Sequence, residues 1–183
     1  MTGTELATFA SGCFWCSEAV YSELLGVEKA EPGYSGGSVP NPSYEQVCTD
    51  RTGHAEVVQV TYDPGRISYR ELLEVFFSTH DPTTRDRQGA DVGSQYRSAV
   101  FYHAPAQKAE AEAIVRELTD EKVFRAPIVT QVVPFEAFYP AEEYHKDYYR
   151  RNPGQGYCQA VIAPKLAKFR AHYKEKLKTA PGG

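Results

Sequence analysis

The sequence has no long apolar run and no excess of positive charge. Its formal net charge is -4 and its pI is near 5.8, so it lacks the basic field that nucleic-acid binding uses. No apolar stretch approaches the ~20 residues of a membrane span, and residues 1–6 lack the basic start and apolar stretch of a secretion signal. We therefore expect a cytoplasmic protein that works with neither nucleic acid nor a membrane.

Cysteine is also scarce, with four residues in a chain of 183. In a reducing compartment such cysteines are more often catalytic, metal-binding or inert than cross-linked. The remaining composition, 42% hydrophobic and 24% charged, is ordinary for a globular protein, and the length suffices for one sizeable core. We expect a single catalytic domain over residues 1–183, with its chemistry close to the cysteines.

Hydrophobic periodicity predicts the element order βαββαβ between residues 6 and 103. The clearest strand spans residues 56–62, where Val58, Val60 and Tyr62 share one face. This order is that of the split βαβ or ferredoxin-like fold, an α+β two-layer sandwich in which helices cover one face of a mostly antiparallel sheet. Extra C-terminal helices are expected to follow. The predicted strands are 6–10, 27–34, 56–62, 98–103 and 128–133, and the predicted helices are 14–25, 69–79, 106–123, 141–151 and 164–178.

A long polar segment, residues 81–97, lies between a predicted helix and a predicted strand and shows no apolar periodicity. Such a segment does not fill a core, and long ordered loops are often functional. A mobile surface excursion is the other interpretation of the same feature.

Cys13 lies where the first strand is predicted to turn into the first helix, directly after Gly12. Unsatisfied backbone N–H groups and the positive end of the helix dipole lie near a side chain at this position. Both favour the thiolate, and a cysteine with a lowered pKa is a nucleophile. The alternative is an inert cysteine that packs in the core, but the turn position favours reactivity.

Cys13 and Cys16 form a CxxC pair, which indicates a dithiol redox site or half of a metal site. A zinc site needs a second close pair of ligands, whereas Cys48 and Cys158 stand far apart and the five histidines are scattered. We therefore predict no metal site. A thioredoxin-like exchange site is the stronger alternative, although the bulky Phe–Trp insert differs from the small or proline-containing inserts expected there.

Glu56 has the strand parity of Val58 and Val60, so its carboxyl group is held at the edge of the core if that face is buried. Burial raises the pKa of a carboxylic acid, and a group that stays protonated near neutral pH can act as a general acid. The simpler interpretation is that Glu56 lies at the strand end and reaches solvent. Tyr44 and Tyr96 are candidate hydrogen-bond donors, but position alone does not single them out among thirteen tyrosines.

Six short strings stand out in the sequence. They are Gly12-Cys13-Phe14-Trp15, Gly33-Tyr34-Ser35-Gly36-Gly37, Asn41-Pro42-Ser43-Tyr44, Thr52-Gly53-His54-Ala55-Glu56, Gly93-Ser94-Gln95-Tyr96-Arg97-Ser98 and Gly156-Tyr157-Cys158. With these strings in this order, the chain resembles the peptide methionine sulfoxide reductase A family from about Phe9 to beyond Cys158. The Gly-Cys-Phe-Trp string is the most diagnostic of them.

The resemblance implies a fold of the split βαβ type and assigns roles to individual residues. Cys13 matches the nucleophile, and Cys158 matches the cysteine that resolves the oxidised nucleophile. Asp91 matches a further pocket position, expected to recognise the substrate backbone. The residues that wall the pocket for the substrate methyl group match Phe14 and Trp15, and those that hydrogen-bond the sulfoxide oxygen match Glu56, Tyr44 and Tyr96.

The implied activity is reduction of methionine sulfoxide, as the S epimer at sulfur, in oxidised proteins or as the free amino acid. The sulfoxide oxygen leaves only if protonated, so a thiolate and an acid must face each other. Attack by Cys13 leaves a sulfenic acid, which Cys158 converts to a disulfide that thioredoxin reduces, and no cofactor is implied.

Cys16 stands where many members have glycine, so it competes with Cys158 as the resolving thiol. Cys48 is expected to be structural.

Overall fold

A six-stranded sheet forms the centre of the protein in the computed structural model, which describes residues 3–178. Residues 1–2 and 179–183, the two ends of the expected domain, lie outside the described residues. The strands in chain order are β1 (Glu5–Ser11), β2 (Val27–Ser35), β3 (Ala55–Tyr62), β4 (Arg87–Gln88), β5 (Asp91–Val92), β6 (Ser98–Tyr102), β7 (Gln131–Pro134) and β8 (Tyr139–Pro140).

Helices lie between the strands and follow the last of them. Two of the helices begin with capping boxes, in which the Ser43 and Ser68 side chains accept the N–H groups of Gln46 and Glu71. The helices are α1 (Phe14–Tyr21), α2 (Tyr44–Cys48), α3 (Tyr69–Ser78), α4 (Pro105–Asp120), α5 (Tyr148–Arg151) and α6 (Ala163–His172), with short 3-10 turns at Ser94–Tyr96, Glu143–His145 and Lys174–Lys176 and a π-helical turn at Cys158–Ile162.

The strand order in the sheet is β7-β6-β1-β3-β2-β8. Neighbouring strands are antiparallel except β6 and β7, which are parallel. The protein is thus a mixed α/β structure with a central, mostly antiparallel sheet. The register places Phe9 opposite Val58 and Tyr34 opposite Glu56. Because opposite residues of a strand pair point to the same face, Glu56 and Tyr34 lie side by side.

The main core lies between one face of the sheet and the helices that cover it. Phe9 of β1 stacks on Tyr21 and Phe76, with ring centroids 5.4 and 5.2 Å apart. Val58 and Val60 are fully buried in the same cluster, as their alternation predicts. Burying one such side chain stabilises the fold by about 1.5–3 kcal/mol. This packing holds β1 and α1 in place, and so it fixes the turn between them.

Several elements form where periodicity predicts them. The predicted strands 6–10, 27–34, 56–62 and 98–103 agree with β1, β2, β3 and β6 to within one residue at each end. The predicted helix 69–79 agrees equally well with α3. The helix predicted at 106–123 is confirmed as α4, which is three residues shorter at its end, and the strand predicted at 128–133 begins later, in β7.

Other predictions are wrong in extent. The helix predicted at 14–25 ends at Tyr21, and the one predicted at 164–178 ends at His172. The helix predicted at 141–151 is broken into a 3-10 turn and α5, because Asp147 adopts a left-handed conformation with φ of 56°. The helix α2, the strand β8 and the π-helical turn are not predicted by periodicity at all.

The segment 81–97 contains regular structure: a short hairpin and a 3-10 turn. The strands β4 and β5 pair within it, and Gln88 holds its start. The N–H of Asp81 donates to Oε1 of Gln88, and Nε2 of Gln88 donates to the carbonyl oxygen of Asp81, each over 2.9 Å. Among residues 3–178, no helix combines the length and apolar character that crossing a bilayer needs.

Candidate active site

Cys13 lies in the tight turn between β1 and α1. The strand ends at Ser11, Cys13 is the N-cap residue of the helix, and Gly12 between them has a φ of 98°. A side chain at Gly12 would be strained in this conformation, and its Cβ would lie 2.7 Å from Cγ of Gln88. The glycine therefore allows the chain to turn sharply enough to place Cys13 at the helix start.

Burial, rather than the helix end, dominates the acidity of Cys13. Desolvation raises the pKa of the thiol well above its ordinary value, and the hydrogen bond with Cys16 and the charge of Glu56 raise it further. The backbone of Trp15 acts in the opposite direction but does not outweigh them. The helix start therefore does not lower the pKa of Cys13 by itself, and the thiolate expected from the turn position stays a prediction.

Three of the four cysteines meet at this turn, and all four are free thiols. The N–H of Cys16 donates to the carbonyl oxygen of Cys13 over 3.1 Å. The hydrogen bond from the Cys13 thiol lowers the pKa of Cys16 to about 7, against the opposing effect of burial. Cys158 is fully buried beside Cys16 and Ile162, in a cluster that Cys13 adjoins. Cys48, in contrast, is exposed at the end of α2 rather than packed in the core.

Glu56 lies near the start of β3 and is only 1% exposed, so the interpretation that it reaches solvent is wrong. Its Oε1 accepts the N–H of Phe14 over 3.1 Å. Its Oε2 is buried and has no hydrogen-bond partner among residues 3–178. Burial raises the pKa of Glu56 to about 8, even though the Phe14 N–H acts to lower it. Glu56 is therefore mostly protonated at neutral pH, next to the turn that bears Cys13.

Tyr44 and Tyr96 lie close enough to Glu56 to be affected by its charge. Burial raises the pKa of both phenols, and the Glu56 carboxylate raises both further, so both hydroxyl groups remain protonated donors. Glu142 fixes Tyr44 at the first position of α2, because its Oε2 accepts the Tyr44 N–H over 2.9 Å. The other oxygen of Glu142 accepts the hydroxyl of Tyr34, also over 2.9 Å.

Aromatic rings surround the turn on the side of α1. The Trp15 ring stacks on Tyr148 with centroids 3.8 Å apart, and its Nε1–H donates to Nδ1 of His145 over 3.0 Å. The Phe14 ring lies 5.0 Å from His145 and has no exposed surface, whereas Trp15 is partly exposed. Trp15 therefore supplies the open part of this aromatic wall, and Phe14 supplies the buried part.

Asp91 reaches the same site from the short hairpin of β4 and β5. Its charge raises the pKa of Glu56, and its Oδ2 accepts the hydroxyl of Tyr157 over 2.7 Å. The Tyr157 ring also packs edge-on against Trp15, with centroids 5.9 Å apart. The residue that precedes Cys158 thus ties the C-terminal segment to the wall of the site.

Two hydrogen-bonding side chains hold the loops that carry these groups. Nδ1 of His54 accepts the N–H of Gly37 over 3.0 Å, and its Nε2 donates to the carbonyl oxygen of Val39 over 2.7 Å. The Arg97 guanidinium donates to the carbonyl oxygen of Gly53 over 2.9 Å. These bonds connect strings that are far apart in the sequence into one support for Glu56 and the two tyrosines.

Sequence reasoning missed three residues that line or support the site: Glu142, His145 and Tyr148. They lie in the segment that periodicity assigned to a continuous helix. Nothing local distinguishes them, apart from a high density of tyrosine and histidine between residues 142 and 149. Nε2 of His145 is buried without a hydrogen-bond partner among the described residues.

The site therefore combines a thiol, a protonated carboxylic acid and two phenolic donors beside an aromatic wall. Such a set can donate protons to an electronegative atom while sulfur attacks the atom bonded to it. Within residues 3–178, the His, Cys, Asp and Glu side chains form no group of three that could hold a metal ion.

Known proteins share this sequence over nearly its whole length. The family model described as peptide methionine sulfoxide reductase matches residues 5–177. The chain belongs to this family. The peptide methionine sulfoxide reductase MsrA of Deinococcus radiodurans is 58% identical over 174 residues, which cover 95% of this chain and 84% of the relative. The enzyme of the same name from Sulfolobus acidocaldarius is 56% identical, with 94% of this chain and 97% of the relative covered.

Solved structures of the methionine sulfoxide reductase family have the same fold. The reduced form of Mxr1 from Saccharomyces cerevisiae matches with a TM-score of 0.79 and 40% identity, over 85% of this chain and 90% of that chain. Mxr1 in complex with Trx2 matches with a TM-score of 0.56 and 30% identity, over 80% and 85% of the two chains. The resemblance carried by the six sequence strings is thereby confirmed.

Proposed function

We propose that this chain is a peptide-methionine (S)-S-oxide reductase, an oxidoreductase that converts methionine sulfoxide, free or in oxidised proteins, to methionine. One observation carries the proposal: the hydrogen bond from Phe14 N–H to Glu56 holds an acid beside the turn that bears Cys13. Family membership supports the same reaction.

The proposed first step moves the sulfoxide oxygen to Cys13. Glu56 is protonated at neutral pH because burial raises its pKa to about 8, and it donates its proton to the oxygen as the Cys13 sulfur attacks. The bond between the substrate sulfur and oxygen breaks, and Cys13 becomes a sulfenic acid. The substrate sulfur gains the electron pair that the Cys13 sulfur loses, and the proton of the Cys13 thiol replaces the one that Glu56 gave.

The remaining residues of the site are proposed to bind the substrate. Tyr44 and Tyr96 donate hydrogen bonds to the sulfoxide oxygen, which their raised pKa values allow at neutral pH. Phe14 and Trp15 wall the pocket for the methyl group, and Asp91 recognises the substrate backbone. The clustering of these side chains around Cys13 supports the assignment.

Cys158 is proposed to resolve the oxidised enzyme. Its thiol forms a disulfide with Cys13, water leaves, and thioredoxin reduces the disulfide. The packing of Cys158 in the cluster that Cys13 adjoins supports this role. The solved complex of Mxr1 with Trx2 supports thioredoxin as the reductant. All electrons of this cycle come from thiols, so it uses no cofactor.

We also propose that residues 1–183 form one catalytic domain and that the protein works in the cytoplasm, where thiols stay reduced. The finer description of the fold as a split βαβ, ferredoxin-like sandwich belongs to the same proposal. The antiparallel order β6-β1-β3-β2 supports it, with α1 between β1 and β2 and α3 between β3 and β6. The helices α5 and α6 would then be the C-terminal additions.

Methionine formation from the separate S and R sulfoxides, with dithiothreitol or thioredoxin as reductant, tests the function. We expect turnover of the S epimer alone. The CxxC pair keeps one rival open, a general dithiol–disulfide exchanger built on Cys13 and Cys16. Reduction of insulin at a rate above that of sulfoxide reduction would favour this rival.

A further inference from the structure

We propose that Glu18 is a positioning residue for the aromatic wall of the site. Its carboxyl group holds the backbone at Asp147 and Tyr148, and the Tyr148 ring in turn holds the Trp15 ring. The inference rests on the proposed function, because its kinetic test measures the binding of methionine sulfoxide. It gives a role to a buried acidic side chain that the proposed reaction does not use.

Glu18 lies on α1, three residues after Trp15 and so on the same side of the helix. Its side chain is buried, and the N–H of Asp147 donates to both of its carboxyl oxygens, over 2.8 Å to each. The N–H of Tyr148 also interacts with this carboxyl group. The first N–H groups of a helix have no partner within the helix, and α5 has only four residues. Glu18 therefore supplies, from another helix, the acceptor that the start of α5 needs.

The conformation of Asp147 makes this acceptor important. Asp147 has a φ of 56° and a ψ of 33°, a left-handed conformation that is unfavourable for a residue with a side chain. Within the described part of the chain, the Asp147 side chain caps no N–H group of α5 and instead pairs with Arg150 over 2.6 Å. The left-handed turn is thus held by the hydrogen bonds that its backbone makes to Glu18.

The same turn carries both contacts of the Trp15 indole with the C-terminal segment. Tyr148, directly after Asp147, stacks on Trp15 with centroids 3.8 Å apart and an interplanar angle of 5°. His145, two residues before Asp147, accepts the indole N–H over 3.0 Å. If the turn relaxes, these two contacts cannot both be kept, because they lie on opposite sides of it. Glu18 therefore acts on the indole through the turn rather than by touching the substrate.

Burial makes Glu18 costly for the stability of the protein. It raises the pKa of Glu18 to about 7, although the N–H groups of Asp147 and Tyr148 act to lower it. The charge of Arg151 also acts to lower the pKa, and that of Asp147 acts to raise it. A carboxyl group away from water lowers stability, and such groups are concentrated at functional sites. A role in the substrate pocket is consistent with this cost.

Single-turnover kinetics of a Glu18→Ala variant test the inference, with the S sulfoxide of methionine at increasing concentration. We expect the half-saturating concentration to rise by about tenfold and the limiting rate to change by less than about threefold, because Cys13 and Glu56 stay in place. The matched control is Glu112→Ala, which removes an exposed carboxylate from α4. A half-saturating concentration equal to that of the control would overturn the inference.

Quenching of tryptophan fluorescence by acrylamide measures the position of the indole without substrate, because Trp15 is the sole tryptophan. We expect stronger quenching in Glu18→Ala than in the wild type and in Glu112→Ala, since the indole loses its stacked partner. Equal quenching in the three proteins would mean that Glu18 does not position Trp15.

A Glu18→Gln variant measures rescue by a conservative change. The amide oxygen accepts the Asp147 N–H, but the amide nitrogen places a second donor where a carboxyl oxygen accepted. We expect quenching and half-saturating concentration between those of the wild type and Glu18→Ala. If Glu18→Ala does not fold, wild-type values of both quantities in Glu18→Gln would overturn the inference.

The two measurements separate the two proposals. If the wild-type protein releases no methionine, the proposed function fails, and the quenching experiment still tests the position of Trp15. If methionine is released and the Glu18 variants match the control, only the role of Glu18 fails.

Discussion

The backbone N–H of Phe14 donates to Oε1 of Glu56 over 3.1 Å. This bond joins the first residue of α1 to the start of β3, so the acid and the Cys13 turn are parts of one unit. With Oε1 engaged, Oε2 is the atom left to protonate a ligand, and it is buried without a partner among residues 3–178. An unpaired buried oxygen lowers stability, and such groups are concentrated at functional sites.

Replacing Cys13 with Ser should abolish methionine formation. A serine hydroxyl does not form a sulfenic acid, and it is a much weaker nucleophile than a thiol. Quantifying methionine after incubation with the sulfoxide and dithiothreitol checks the result, with Cys48→Ser as the thiol control. Retained activity would show that Cys13 is not the nucleophile.

Replacing Glu56 with Gln should slow sulfoxide reduction by about 10²–10⁴-fold while the protein stays folded. The amide oxygen still accepts the Phe14 N–H, but the amide group cannot supply an acidic proton. Single-turnover kinetics and thermal unfolding check the two parts of this prediction. The matched control is Glu112→Gln on the exposed side of α4. An unchanged rate would mean that another group donates the proton.

The rate of the reductive step should fall as pH rises through about 8, because Glu56 loses its proton there. Its pKa is raised from 4.5, so the active, protonated form predominates below about 8 and is lost above it. A pH profile of single-turnover rates measures this limb, and the Glu56→Gln variant should lack it. A wild-type profile that stays flat across this range would contradict the assigned acid.

Tryptophan fluorescence should report directly on the reaction, because Trp15 is the sole tryptophan. Its ring stacks on Tyr148 and is hydrogen-bonded to His145, so oxidation of the neighbouring Cys13 changes its surroundings. We expect a fluorescence change in stopped-flow mixing with methionine sulfoxide, at the rate of methionine release, and recovery with a dithiol. The Cys13→Ser variant should show neither phase. A fluorescence change in this variant would mean that the signal reports substrate binding rather than oxidation.

Replacing Cys158 with Ser should leave one chemical turnover and stop recycling by thioredoxin. The first methionine needs only Cys13 and the acid, whereas thioredoxin acts on the disulfide that Cys158 completes. Methionine yield per protein, with and without thioredoxin, measures the two steps separately. Full multi-turnover activity with thioredoxin would move the whole resolving role to Cys16.

The local residue pattern was enough to predict the strands β1, β2, β3 and β6, because alternation of apolar and polar residues with a period of two directly reflects one buried face. It was not enough for residues 141–151, where the left-handed Asp147 divides a segment of helix-forming composition. The residues of that segment were missed for the same reason. His145 and Tyr148 reach Trp15 only through the long-range packing of the C-terminal segment on α1.

The sequence by itself determined that a cysteine follows a glycine at a strand-to-helix turn, and its six strings identified the family before any contact was known. Only the tertiary structure decided the pKa shifts, because burial by residues distant in the chain raises the pKa of both Cys13 and Glu56. It also decided which thiols meet. Cys16 is next to Cys13 by helix geometry, whereas Cys158 joins them only because the C-terminal segment folds back onto α1.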